Sequence, residues 1–301
     1  MPISVVIPVR NEGRRIVKTV HSIVSGRSSH FPLEIVIVDD ASTDGACDDI
    51  GQITRGVPEV TLVVQRLNQW SGIPYARNRG VEATSYSLLV ITDGNTKFPS
   101  NWDAPIRRHF DKRRIVAATI ADMASSFCGY GCTLVLPSMG VTWLPIPNAY
   151  GGYVPVAACT CTVIDRTLFH HLGGYDESLP LYGAAEPEFS VRAWLSGFEI
   201  VNVPNLVISH RFRPEKEREL FHSSNSSILL PNYLRFACYY LPEQLLMRSY
   251  RYFSELMRDD FEPCLARLEA EGVWARREQL KGFPRDFKWF IRKFRLMENC
   301  N

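Results

Sequence analysis

The 301-residue chain lacks an apolar run of the roughly 20 residues needed to cross a bilayer. Its N-terminus, MPISVVIPVRNEG, is apolar only briefly, carries no basic flank and is broken by Pro8, so it reads as neither a secretion signal nor a spanning helix. An excess of one charge is also missing: 34 Lys and Arg face 32 Asp and Glu, a formal net charge of +2. A nucleic-acid binder needs a clustered basic excess, so that class is set aside. No G-x-G-x-x-G follows the first apolar run and no Walker loop occurs, which counts against dinucleotide dehydrogenases and P-loop enzymes. The eight cysteines form no C-x2-C knuckle: Cys128 and Cys132 make C-x3-C, Cys159 and Cys161 make C-x-C, and no paired histidines accompany them. Without an export signal the expected setting is cytoplasmic, where these would be reduced structural thiols.

What is present is ordinary globular composition, 46% hydrophobic and 22% charged, in a length that allows one large domain or two small ones. Residues 3–9 (ISVVIPV) are a β-branched run, best read as a fully buried strand. Asn11 and Glu12 then open a helix to about Ser25, and residues 33–38 make a second buried strand ending in Asp39-Asp40. A further helix, a strand at 60–65, a helix at 75–84 and a strand at 87–92 complete a β-α-β-α-β-α-β alternation. That pattern predicts parallel strands with right-handed crossovers in a doubly wound α/β sheet. Asp40 and Asp93 close strands at the C-terminal edge, where open α/β sheets bind ligands. From 115 to 165 the pattern turns β-rich and irregular, with residues 155–164 as a strand. A helix at 186–195 and a strand-turn-strand follow, and beyond Pro214 the chain reads as helical.

Four stretches carry a family likeness: VVIPVRNEG (5–13), IVIVDDAS (35–42), NQWSGIPYARNRG (68–80), and the run 172–213 containing GGYDE, EFSVRAW and SHRFR. Together they resemble the family 2 glycosyltransferases of GT-A fold, with a C-terminal catalytic segment similar to polypeptide N-acetylgalactosaminyltransferases. The likeness implies a nucleotide-diphospho-sugar transferase-like domain over 1–213, followed by a helical extension over 214–301. It also implies a nucleotide-sugar donor, UDP-linked as the family-level expectation, and an acceptor left open among small molecule, glycan, peptide and lipid-linked forms.

Each motif residue has a plain reading beside the implied one. Pro8, Val9, Arg10 and Glu12 would line the base and ribose; Glu12 is otherwise a carboxylate favoured at a helix N-terminus. Asp40 would meet the base, or else cap a helix. Arg77 and Asn78 would reach donor phosphates, the alternative for the arginine being a core ion pair. Asp93, Gly94 and Asn95 stand where the family carries D-x-D or D-x-H, which implies Mn2+ or Mg2+ on the diphosphate. Asn95 brings an oxygen without a charge, and hard cations prefer charged oxygens. His210 matches a third ligand. Glu186 takes the position of the general base for an inverting transfer, with Glu188 in reserve; either is otherwise an N-terminal helix carboxylate. Ala185 replaces a family glutamate. Trp102 and Trp194 flank the site segments and read as core packing, the alternative being stacking on a sugar. Residues 284–296 (PRDFKWFIRKFRL) make a basic amphipathic helix, which either packs on the domain or lies against the inner membrane face. Two rivals stay open: a nucleotidyltransferase, and a catalytically weak nucleotide-sugar-binding protein on the same fold.

Overall fold

The computed structural model describes residues 1–28, 30–158 and 160–296. Its first half follows the predicted alternation except between the second and third strands: β1 (Ile3–Val9), α1 (Arg15–Gly26), β2 (Leu33–Asp39), β3 (Val60–Arg66), α2 (Ile73–Glu82) and β4 (Leu88–Ile91). β1 runs parallel to both β2 and β4, and β2 parallel to β3. Side chains alternate faces along a strand. Ile3, Val5, Ile7 and Val9 accordingly join Ile16, Val20 and Ile23 of α1, while Val6 joins Val81 of α2 in the core on the other face. That is why β1 is apolar except at Ser4, whose hydroxyl donates to the Glu34 carboxylate at 2.6 Å. Each such side chain, fully buried, stabilises the fold by about 1.5–3 kcal/mol. α2 lies close on the sheet at Gly80, where a Cβ would stand 2.4 Å from Val6 Cγ1.

The second half adds β5 (Thr96–Lys97), α3 (Asp103–His109), β6 (Arg114–Asp122), β7 (Cys128–Gly129), the hairpin β8 (Cys132–Val135) and β9 (Gly140–Trp143), β10 (Thr162–Asp165), α4 (Arg166–His171), α5 (Ala185–Leu195) and β11 (Glu199–His210). The main sheet runs β3-β2-β1-β4-β10-β6-β11-β5, with β10 antiparallel to β4 and β6 and β5 antiparallel to β11. The fold is thus the expected mixed, mostly parallel GT-A sheet.

Several local expectations are corrected. α1 begins at Arg15, not Asn11, because Asn11 and Gly13 both adopt φ of +53°. The segment after Gly45 forms only a short 3-10 turn at Ile50–Ile53. The strand expected over 155–164 shrinks to β10, since Val156 pairs with Cys132 of the hairpin instead. The strand-turn-strand is one strand, β11, with an irregularity between Val203 and Val207. Pro204 falls there, where a residue without an N–H is tolerated.

Helices α6 (Glu215–Ser224), α7 (Ser226–Tyr240), α8 (Glu243–Met257), α9 (Phe261–Ala270), α10 (Val273–Leu280) and α11 (Phe287–Phe294) complete the chain. The core does not break at residue 213: Leu89 and Ile164 of the sheet share one apolar cluster with Leu234, Phe253, Leu268 and Phe290. α11 is amphipathic as expected, but Phe287, Phe290 and Phe294 are buried in that cluster. Its apolar face therefore packs on the protein and is not presented to a membrane, which corrects the membrane reading of 284–296. Lys293 is held over the rings of Tyr153 (4.5 Å) and Trp194 (5.1 Å). Among the described residues no helix is long and apolar enough to cross a membrane. Trp102 and Trp194 are core residues whose indoles donate to Ile23 O and Val154 O. The described cysteines are free. Burial pushes the Cys132 and Cys161 thiols up, as befits inert packing residues; Cys159 lies outside the described residues.

Candidate active site

At the C-terminal edge of β1 and β2, polar side chains fasten loops to one another. Beyond Val6, β1 pairs only with β2, and Pro8, with no N–H to donate, falls in this single-sided stretch. Val9 is buried. Arg10 Nη1 donates to the carbonyls of Asp40 (2.7 Å) and Ala41 (2.9 Å), and its guanidinium lies 4.7 Å from the Trp70 ring. Asp40 accepts from the backbone amides of Ser71 (2.7 Å) and Gly72 (2.8 Å). Its carboxylate thus clamps the loop that leads into α2. Glu12 pairs with Arg15 at 2.7 Å and lies beside Gly94, where a Cβ would come within 3.2 Å of Glu12 Cγ.

The centre of the site is Asp93, just past β4. Its Oδ2 accepts from Thr160 Oγ1 at 2.8 Å, its Oδ1 lies 3.3 Å from Arg77 Nη2, and His210 Nε2 is 3.7 Å from Oδ2. The sheet makes this meeting. β5 follows the Asp93 loop and pairs His210 with Thr96, while Arg211 N donates to Asn95 O at 3.2 Å. Burial lowers the His210 pKa, with Arg213 acting in the same direction and Asp93 and Glu12 opposing. The imidazole is therefore neutral near pH 7 and keeps a lone pair. Asn95 Oδ1 and His210 Nδ1 are buried and have no hydrogen-bond partner among the described residues. Those residues contain no cluster of three or more His, Cys, Asp or Glu that could hold a metal. The donor set is instead one carboxylate, one imidazole and an orphaned amide oxygen, and that set fits a hard divalent cation that keeps substrate oxygens as further ligands.

On the opposite wall α5 starts at Ala185, after Ala184 at φ +64°. Glu186 Oε1 lies 2.6 Å from Arg77 Nη1, so the wholly buried Arg77 ties Glu186 to Asp93. Arg77 is accordingly the ion pair that sequence offered as the alternative. Glu188 is buried, bonded to Arg192 through Oε1 (2.9 Å) and Oε2 (2.7 Å), and accepts from the Tyr240 hydroxyl at 2.7 Å. Asn78 is engaged with the turn before α5. Its Nδ2 donates to Tyr175 O and Glu177 Oε1 and its Oδ1 accepts from Tyr175 N, which pins the GGYDE turn.

Sequence reading missed Thr160, which no motif marks, and the edge-to-face trio Phe127, Trp143 and Phe212. Phe212 stacks edge-on to His210 at 4.6 Å and stands in the SHRFR motif, the one signal that pointed to it. Tyr175, 5.0 Å from the Arg77 guanidinium, was hidden inside GGYDE.

A parallel-dominated α/β sheet of this order, with helices at the C-terminus, matches the GT-A fold of solved glycosyltransferase structures. The chain belongs to glycosyl transferase family 2, whose sequence profile matches residues 4–173. It is 26% identical over 262 residues to human polypeptide N-acetylgalactosaminyltransferase 14, covering 80% of this chain and 46% of that protein. It is also 26% identical to mouse polypeptide N-acetylgalactosaminyltransferase 16, over 96% of this chain and 52% of the relative. The chain thus spans about half the length of these relatives. Among solved structures, GalNAc-T7 with UDP, GalNAc and Mn2+ superposes with a TM-score of 0.74 at 22% identity, over 100% of this chain and 58% of that one. A mannosyltransferase from Pyrobaculum calidifontis in complex with GDP-Man and Mn2+ gives 0.57 at 17% identity, over 98% and 84%. These two likenesses show the fold.

Proposed function

We propose that the chain is a glycosyltransferase that takes a sugar from a nucleoside-diphosphate donor, of the UDP class, and passes it to an acceptor hydroxyl. The observation that carries this reading is the meeting of Asp93 and His210, with the unpartnered Asn95 oxygen two residues along the same loop, at the C-terminal edge of a family 2 fold. Those three residues would hold Mn2+ or Mg2+, which supplies positive charge to the departing diphosphate. Thr160 and Arg77 orient the Asp93 carboxylate, and Arg10 with Asp40 shapes the loops around the base. Residues 1–213 form the catalytic unit in this reading, and the extension that begins at 214 completes its core through Leu234, Phe253, Leu268 and Phe290.

In the inverting form of the reaction Glu186 takes the acceptor proton, which requires its pair with Arg77 to open first. Glu186→Gln tests that step: turnover falls at least tenfold if the carboxylate moves a proton, and unchanged turnover removes the assignment. The general test is release of the nucleoside diphosphate from a panel of nucleotide sugars with Mn2+. Turnover of one member supports transferase chemistry, and binding without turnover supports the rival of a non-catalytic binding protein. That rival is favoured by specific residues, since Asn95 and Ala185 stand in place of charged groups and Arg77 occupies Glu186.

A further inference from the structure

We infer that the cleft where the ends of α5, α7 and α10 meet the start of α11 binds a small organic anion, an aromatic or aliphatic body carrying a phosphate head. This cleft shares no lining residue with the Asp93 site and does not depend on the transferase reading.

The cleft has a volume of about 310 Å3, the size of a small-molecule pocket. Its floor is apolar: Leu195, Tyr239, Tyr240 and Phe287 line it and are otherwise buried. Both tyrosine hydroxyls are engaged elsewhere, Tyr240 donating to Glu188 at 2.7 Å and Tyr239 lying 2.8 Å from Ser178 Oγ. The rings are therefore what a ligand meets. Around this floor stand four cationic side chains, Arg277, Lys281, Arg285 and Lys288, and one carboxylate, Asp286. That carboxylate is already used, since it caps α11 by accepting from Trp289 N at 2.7 Å. Glu278, which does not line the cleft, pairs with Lys281, but both are exposed and such a pair is weak.

The two arginines are held in place. Arg277 Nη2 donates to Leu241 O at 2.6 Å, just past α7, and Arg285 Nη1 donates to Trp194 O at 3.1 Å, at the end of α5. The Arg285 guanidinium also lies 4.4 Å from the Trp289 ring. Helix-end carbonyls thus fix both guanidinium groups, which keep further N–H donors for the oxygens of a ligand. The whole chain carries a formal charge of only +2, so four cations over one apolar floor are a local concentration. A dianionic head matches them better than a single carboxylate does. An inorganic anion would leave the floor unfilled, and a neutral aromatic would leave the cations unmatched.

Calorimetric titration of the full chain with phenyl phosphate, inorganic phosphate and phenol tests this. Phenyl phosphate should bind at least about tenfold more tightly than either fragment, because one molecule then fills both floor and rim. Lys281→Glu combined with Lys288→Glu should weaken phenyl phosphate by about tenfold or more, since two attractive charges become repulsive. Both lysines are exposed, so this variant should fold, which circular dichroism checks. Lys18→Glu combined with Lys112→Glu makes the same change of net charge at exposed positions elsewhere and should leave binding unchanged. Phenyl phosphate binding no tighter than inorganic phosphate would mean an adventitious ion only and would overturn the inference. So would a failure of phenyl phosphate to bind, full affinity in the Lys281 and Lys288 variant, which places the phosphate elsewhere, or equal losses in the two double variants.

Discussion

The two walls of the cleft are built by different rules. On the β1–β2 wall, side chains fasten backbone: Arg10 holds two carbonyls, Asp40 holds two amides, and Asn11 Oδ1 accepts from Thr43 N. On the α5 wall, side chains hold side chains: Arg77 joins Glu186 to Asp93, and Glu188 joins Arg192 to Tyr240. Backbone-fastened loops keep their shape through local geometry. A buried charge network depends on every member being present, since removing one leaves another unpaired in a low-dielectric interior.

That difference predicts a ranking of damage. Glu188→Ala, on the network wall, strands Arg192 and should cost on the order of 3–5 kcal/mol in urea unfolding. A cost below that of the loop variants would break the comparison. Asp40→Ala, on the loop wall, removes two charge-assisted bonds and should cost about 1.5–3 kcal/mol, with UDP affinity reduced through the slackened Ser71–Gly72 loop. The smallest effect concerns pH. The His210 pKa is depressed by burial, so the unfolded chain binds its proton first, and the stability it contributes is present above about pH 6.5 and lost as pH falls. Metal-free protein should therefore lose stability between pH 7 and 5, and His210→Asn should lose less. An identical slope in both proteins would remove His210 as the source.

The same contrast explains what could be read in advance. The strands and helices of residues 3–91 were legible because apolar runs and crossovers are local patterns, and Asp93 was legible because it ends a strand. Asp40 was marked as a carboxylate at an edge, and its position alone did not show the Ser71 and Gly72 amides that it accepts from. The contacts of Glu188 and Asn78 were hidden for the converse reason. Their partners, Tyr240 and the Tyr175–Glu177 turn, lie far along the chain, and no motif spacing announces a contact that only tertiary packing makes. The amphipathic pattern at 284–296 was real, and what it could not reveal was the apolar cleft waiting for it beside Trp194.

The account turns on a cation seated between two residues that are 117 positions apart in sequence and 3.7 Å apart in space. Anomalous diffraction at the manganese edge, from crystals grown with UDP and Mn2+, measures that directly. The account predicts a single manganese peak bonded to Asp93 and His210 and to the UDP diphosphate. Bound UDP with no peak at those side chains, or with manganese elsewhere, would contradict it.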